Sequence, residues 1–206
     1  MIMIQAIPKP VTFDEFVAWY PENPEHRYEL HNGVIVEMPL GTGDHSDVTG
    51  FIVAEINFEI RRLQLPYSIP GDCLVKPVRN ESGYQPDILV LDRAALVNEP
   101  RWKKESAAMG SSVRLVVEVV STNWRDDYLT KLRDYEEMNI PEYWIVDYLG
   151  LGGKRLIGDP KRATLSVYEL VEGEYQVKQF REDDRIESPT FSELNLTAKQ
   201  VFRAGL

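Results

Sequence analysis

A glutamate inside the run Leu115-Val116-Val117-Glu118-Val119-Val120 is the first place to look for chemistry. The run is apolar on both faces, the pattern of a central strand covered on both sides. A carboxylate there either shifts its pKa and stays neutral or finds a cation. A glutamate at the strand's end, ion-paired or reaching solvent at the sheet edge, is the plainer alternative. Asp87 follows Pro86 at the head of a second apolar run, Ile88-Leu89-Val90-Leu91, where a strand-leading turn residue would also fit. On neighbouring strands the two carboxylates would repel unless a divalent cation lay between them. Hard cations such as Mg²⁺ take oxygen from one or two carboxylates and leave room for water and phosphate.

Lys131 lies at the margin of the stripe Tyr128, Leu132 and Tyr135, so its long side chain could lean over the sheet edge toward the carboxylates. An exposed lysine paired with Asp127 at i,i+4 is the alternative. Glu29 reads by default as a hairpin residue facing solvent, and His45 as a residue preceding a helix and capping it. Both stand as second candidates for the same centre.

The elements that must position these groups follow from patterning. Thr12-Phe13-Asp14-Glu15 matches a capping box and opens a helix over about Phe13 to Tyr20, which the run Pro21 to Glu25 ends. Asn32-Gly33 between Arg27–His31 and Val34–Met38 signals a hairpin. Gly41 to Ser46 reads as a loop and Val48 to Leu65 as a helix. Strands are expected at Asp72 to Val78, Pro86 to Leu91, Val113 to Val120 and Glu142 to Asp147, with a charged linker containing Pro100 and Gly110 before the third. A helix over Trp124 to Met138, stopped by Asn139, joins the last two. A hairpin, Thr164 to Val171 and Tyr175 to Phe180, turns at Glu172-Gly173, and a helix near Thr197 to Arg203 follows. This order predicts an α/β core, a mixed sheet between helices with hairpin additions at both ends, in one domain over residues 1–206.

Composition narrows the partners. No apolar run approaches the ~18–20 residues that cross a bilayer, and the start MIMIQAIPKPVTF has neither a basic region nor a small-residue cleavage site. One cysteine, Cys73, precludes an internal disulfide, and with three histidines excludes the usual Cys/His zinc sites. The expectation is a cytoplasmic protein. The net charge of −10 opposes electrostatic coating of nucleic acid, so DNA contact would need a local basic patch or bridging metal ions. Arg61, Arg62, Arg79, Arg125 and Arg133 are candidates for such a patch.

Taken in series, Tyr28-Glu29-Leu30 with Asn32-Gly33, His45, Pro86-Asp87-Ile88, Val117-Glu118-Val119 with Ser121, Asp127, Lys131, and Pro141-Glu142-Tyr143-Trp144-Ile145-Val146-Asp147 resemble the Uma-two (Uma2) family of the PD-(D/E)XK nuclease superfamily. The resemblance runs from about Phe13 to the final helix. It implies a restriction-endonuclease-like sheet and a DNA-hydrolysing site in which Asp87 and Glu118 hold Mg²⁺ or Mn²⁺. The superfamily's lysine would stand two residues after the glutamate, where this chain has Val120. The resemblance then assigns the role to Lys131 on the following helix, with Glu29 as a further acidic group. A binding module on the same scaffold, without catalysis, is the second reading. A homodimer is also expected, and a purely structural oligomer, with the strand carrying Tyr143 and Trp144 and the hairpin after Gly153 forming its interface, is the third reading.

Overall fold

A computed structural model of the chain describes residues 9–20, 26–79 and 81–205. The apolar start and the helix stop expected at Pro21 to Glu25 lie outside them. Helix α1 (Phe13–Trp19) carries the expected capping box: Thr12 Oγ1 accepts from the Glu15 amide while Glu15 accepts from the Thr12 amide. Strands β1 (Arg27–His31) and β2 (Val34–Met38) form the hairpin, with Asn32 and Gly33 both at positive φ, 49° and 80°.

Helix α2 (Gly43–Arg62) begins earlier than its apolar periodicity suggested. Thr42 is its cap, accepting from the His45 amide, so most of the stretch read as a loop is the first turn of the helix. His45 therefore sits within that turn and does not cap it. The first turn faces the site rather than the core, so it carries few apolar residues and escapes a search for periodicity.

Next come β3 (Tyr67–Ser68), β4 (Leu74–Val75) and β5 (Ile88–Asp92). The strand expected over Asp72 to Val78 shrinks to β4, because Pro77 has no N–H to continue a ladder. The stretch read as a charged linker folds into α3 (Arg93–Leu96), α4 (Trp102–Glu105) and β6 (Ala107–Ala108), and β6 pairs with β4 in a small parallel sheet. Strand β7 (Val113–Val119) leads through a π-helical turn, Asp126–Lys131, into α5 (Leu132–Glu137). Asn139 then takes φ 56°, the left-handed stop expected of it. Strand β8 (Glu142–Asp147), helix α6 (Lys154–Ile157), strands β9 (Thr164–Val171) and β10 (Glu174–Phe180), and helix α7 (Ala198–Arg203) complete the order.

Six strands pair in the order β10-β9-β8-β7-β5-β3, with β7 and β8 parallel and the other neighbours antiparallel. The C-terminal hairpin thus adds to one side of the mixed sheet, while β1 and β2 form a separate ribbon. Alternation sorts the central strands onto two faces. Ile88, Val90, Leu115, Val117, Trp144 and Val146 pack against α2 and α7. Leu89, Leu91, Val116, Val120, Tyr143 and Ile145 pack against Tyr128, Tyr135 and Met138 from the helix after β7. Val48, Ile52, Ile56 and Ile60 come from successive turns of α2, and each buried side chain contributes roughly 1.5–3 kcal/mol.

Burial removes the β8 part of one expected interface and leaves the hairpin after Gly153 as its accessible part. Tyr143 and Trp144 lie on β8, between β7 and β9, and both are wholly inaccessible, so no second copy can reach them. Among the described residues, no helix is long and apolar enough to cross a membrane.

Candidate active site

The same alternation that fills the core places the two carboxylates together. Glu118 falls between Val116 and Val120, on the face covered by the π-helical turn and α5. Asp87 precedes β5 and shares the parity of Leu89 and Leu91. Ile88 is paired with Val117, so one further antiparallel step sets Asp87 opposite Glu118, a relation in which β-carbons stand roughly 4.5–5.5 Å apart.

Lys131 is buried, with a side chain only 4% exposed. Its Nζ donates to Glu118 Oε1 at 3.0 Å and to Glu29 Oε1 at 3.1 Å, and lies 3.9 Å from Asp127 Oδ1. The i,i+4 pairing with Asp127 therefore exists, but inside the protein. A π-helical turn is an unfavourable local choice that recurs at functional sites. Here it carries both Asp127 and Lys131 into the interior.

Glu29 is inaccessible to solvent, although its place beside a hairpin turn suggested exposure. The Gln85 amide donates to its Oε1 at 2.9 Å, and His31 Nε2 lies 2.8 Å from its Oε2. The Tyr135 hydroxyl donates to Glu118 Oε1 at 3.0 Å. On the other side, Asp87 Oδ2 accepts from the Val119 amide at 2.8 Å and lies 3.3 Å from His45 Nε2. That nitrogen also lies 3.1 Å from the Val119 carbonyl, an acceptor only, so it carries the proton. All six candidates, Glu29, His45, Asp87, Glu118, Asp127 and Lys131, line one pocket of about 280 Å³.

Their charges do not balance. Burial, the strongest influence on Glu118, pushes its carboxyl well above the usual range; Lys131 opposes this, and Asp127, Asp87 and Glu29 add to it. Burial likewise raises Asp127 to about 7 against the pull of Lys131. Burial would raise Glu29 too, but Lys131, His31 and the Gln85 amide together hold it down to about 2. Lys131 is driven well above its ordinary value, because Glu118, Glu29 and Asp127 outweigh its desolvation. The hydrogen bond to Asp87 raises His45, against burial. The resting site thus keeps a firm Glu29–Lys131 ion pair and an excess of acid around it.

Among the described residues no group of three or more His, Cys, Asp or Glu is gathered to hold a metal ion. The pair Asp87 and Glu118 still offers what a hard cation needs. Within the described chain, Asp87 Oδ1 and Glu118 Oε2 take no hydrogen bond, while their other oxygens are engaged. Both residues line the pocket, and two carboxylates are the usual protein share of a Mg²⁺ site that keeps water and phosphate.

Residues 13–199 match the model of the Uma2 family, described as "Putative restriction endonuclease". The chain belongs to this family. It is also similar to the crystal structure of a protein described as "a putative nuclease belonging to DUF820" from Anabaena variabilis ATCC 29413, solved at 1.96 Å resolution. The TM-score is 0.70 at 22% identity, covering 96% of this chain and 100% of that one, a likeness of fold. No curated protein matches the chain.

In this Uma2 chain several further groups touch the site. Arg27, Glu29 and His31 alternate along β1, so the period of two could have linked them; His31 binds Glu29, and Arg27 lines the pocket mouth. Tyr135 gave no such signal, since its ring fills the core as its stripe suggested and only its hydroxyl reaches Glu118. Glu142 and Asp147 of the family-like segment serve the fold. Glu142 accepts from the Trp144 indole, Ser188 and the Thr190 amide, and Asp147 from the Leu151 and Gly152 amides. The arginines proposed as a basic patch are largely spent on neighbours: Arg62 on Glu59 and Glu193, Arg79 on Glu137, Arg133 on Asp134, and Arg125 over the Trp124 ring.

Proposed function

We propose that the chain is a cytoplasmic, metal-dependent endonuclease that hydrolyses phosphodiester bonds of DNA at the pocket holding Asp87, Glu118 and Lys131. One observation supports this above the others. Two carboxylates from neighbouring strands each keep an oxygen without a protein hydrogen bond in one pocket, beside a buried lysine. Asp87 and Glu118 would hold Mg²⁺ or Mn²⁺, which when bound lowers the pKa of a water and draws off charge from the phosphate.

The chain's own groups would then set geometry and charge. In hydrolysis water adds to phosphorus, one phosphorus–oxygen ester bond breaks, and the departing oxygen is protonated. Lys131 supplies a fixed cation beside the site of rising negative charge, already oriented and dehydrated, so little reorganisation opposes it. Glu29 keeps that ammonium charged and anchored. His45 and the Val119 amide fix the rotamer of Asp87, and Tyr135 fixes that of Glu118. A homodimer belongs to the same proposal. Strand β10 stands at the end of the sheet with an exposed face, which makes its edge the surface to examine by light scattering.

The second reading, a binding module without catalysis, has its own support: Lys131 already neutralises part of the acidic cluster without a metal ion. The two readings separate on supercoiled plasmid, branched DNA and single strands incubated with Mg²⁺, Mn²⁺ or EDTA. Cleavage that needs the metal and disappears in Asp87→Ala/Glu118→Ala establishes the nuclease. Retention of DNA without cleavage under every metal selects the binding module.

A further inference from the structure

We infer that, if the chain is a nuclease as proposed, the strand entering its pocket is single-stranded DNA, held by its bases more than by its phosphates. The first argument is space. A pocket of about 280 Å³ falls just below the usual range of ligand sites, roughly 300–1,000 Å³, too small for more than a short piece of one strand. The acidic groups lie deep in it, with the side chains of Glu118 and Asp127 only 5% and 12% exposed. The phosphates of a duplex lie on its outside, but pairing and stacking hold the backbone regular, so one of them cannot descend there without its neighbours. A single strand can turn one phosphate inward.

The second argument is charge. The pocket opens beside a broader groove of about 1140 Å³ with which it shares Arg27, Leu40, His45 and Asp87. Among the described lining residues of both, the lysines and arginines are Arg27 and Lys131 alone, and Lys131 is engaged by Glu29 and Glu118. Glu37, Asp72, Glu105 and Asp126 also line these surfaces. Proteins that grip duplex DNA through phosphates make on the order of 6–10 such contacts. This mouth offers one arginine among acids.

The third argument is what the mouth offers instead. Leu40, on the connection from β2 to α2, is 96% exposed, and Leu149, after β8, is 52% exposed; both line the pocket. Exposed Pro39 adjoins Leu40 on the same rim. Apolar side chains brought from two separate loops to one opening suit the faces of unstacked bases, which are buried in a duplex and available in a single strand.

The test uses the intact chain with a labelled oligonucleotide of mixed sequence, alone and annealed to its complement, in Mg²⁺ or Mn²⁺. Cleavage of the single strand should exceed that of the duplex by at least about tenfold. Leu40→Ser/Leu149→Ser should lower kcat/KM on the single strand by on the order of tenfold, the loss expected when one apolar side chain no longer buries against a base. Fluorescence anisotropy in Ca²⁺ gives a readout independent of turnover. There the single strand should bind more tightly, with an affinity falling only shallowly with salt. Equal or faster duplex cleavage, or tighter duplex binding, overturns this inference and leaves the nuclease reading intact. Absence of any cleavage counts against the nuclease reading, and the anisotropy comparison still decides which strand form is taken.

Discussion

Replacing Lys131 with methionine keeps the length of the side chain and removes the one ammonium that, among the described residues, sits in the buried acidic cluster. At 3.1 Å, the pair with the ionised Glu29 is worth about 5 kcal/mol at an effective dielectric of 20. Most of this is offset by the cost of burying the ammonium, several kcal/mol, and its partners. Removing one member of such a group typically costs about 3–5 kcal/mol, because the remaining charges stay buried. For a chain of this length that lowers Tm by roughly 6–20 °C. The loss should also depend on pH. Glu29, held near 2 by Lys131 and its hydrogen bonds, is fully ionised from pH 5 upward in the native protein, so that pair's contribution is complete there. Without Lys131, burial, the strongest influence on Glu29, carries its folded pKa above the unfolded 4.5; a carboxylate raised past its unfolded value disfavours the folded state as pH increases, so the deficit should be larger at pH 8 than at pH 5. Urea and thermal unfolding at both pH values read this directly, and a cycle with Glu29→Gln should give a coupling of about 0.5–3 kcal/mol. A deficit under about 1 kcal/mol, or one equal at both pH values, would refute the assignment of Lys131 as the buried counter-charge.

Other outcomes follow from the same geometry. Asp127 rises from 3.8 unfolded to about 7 folded, so native stability falls as pH increases across that window, by about 1.4 kcal/mol per unit at most. Asp127→Asn should remove the slope, giving a Tm advantage over the native chain at pH 8 that shrinks at pH 5; parallel curves would contradict it. Tyr135→Phe leaves a buried Glu118 oxygen without its hydroxyl donor and should cost about 1–3 kcal/mol while lowering cleavage severalfold, with circular dichroism unchanged. Gly33→Ala should destabilise by about 1–2 kcal/mol, since its φ is +80° and an added β-carbon would meet Pro10 Cβ at 2.5 Å; unfolding titrations measure it.

Elements marked by an apolar run or a turn dipeptide were legible in the sequence. Strands β5, β7 and β8 appear where short apolar runs place them, and the two hairpins where Asn32-Gly33 and Glu172-Gly173 do. The first turn of α2 was not legible, because it faces the site and lacks the apolar spacing of the later turns. Strand β3 lies between Pro66 and Pro70, too short for any pattern. At the site, Glu118 stood out because a charge interrupted an apolar run. The burial of Glu29 and Lys131 did not, since each has an ordinary exposed reading and they meet only through contacts 102 residues apart in the chain. The π-helical turn that carries Lys131 inward leaves no mark in residue spacing.

Whether Asp87 and Glu118 together hold one divalent cation is decided by Mn²⁺ binding, followed by calorimetry with electron paramagnetic resonance. The native chain and Asp126→Asn, altered at a pocket residue outside the pair, should each bind one Mn²⁺. Asp87→Asn and Glu118→Gln should each lose it. Equal binding by all four proteins, or binding by none, would contradict the account.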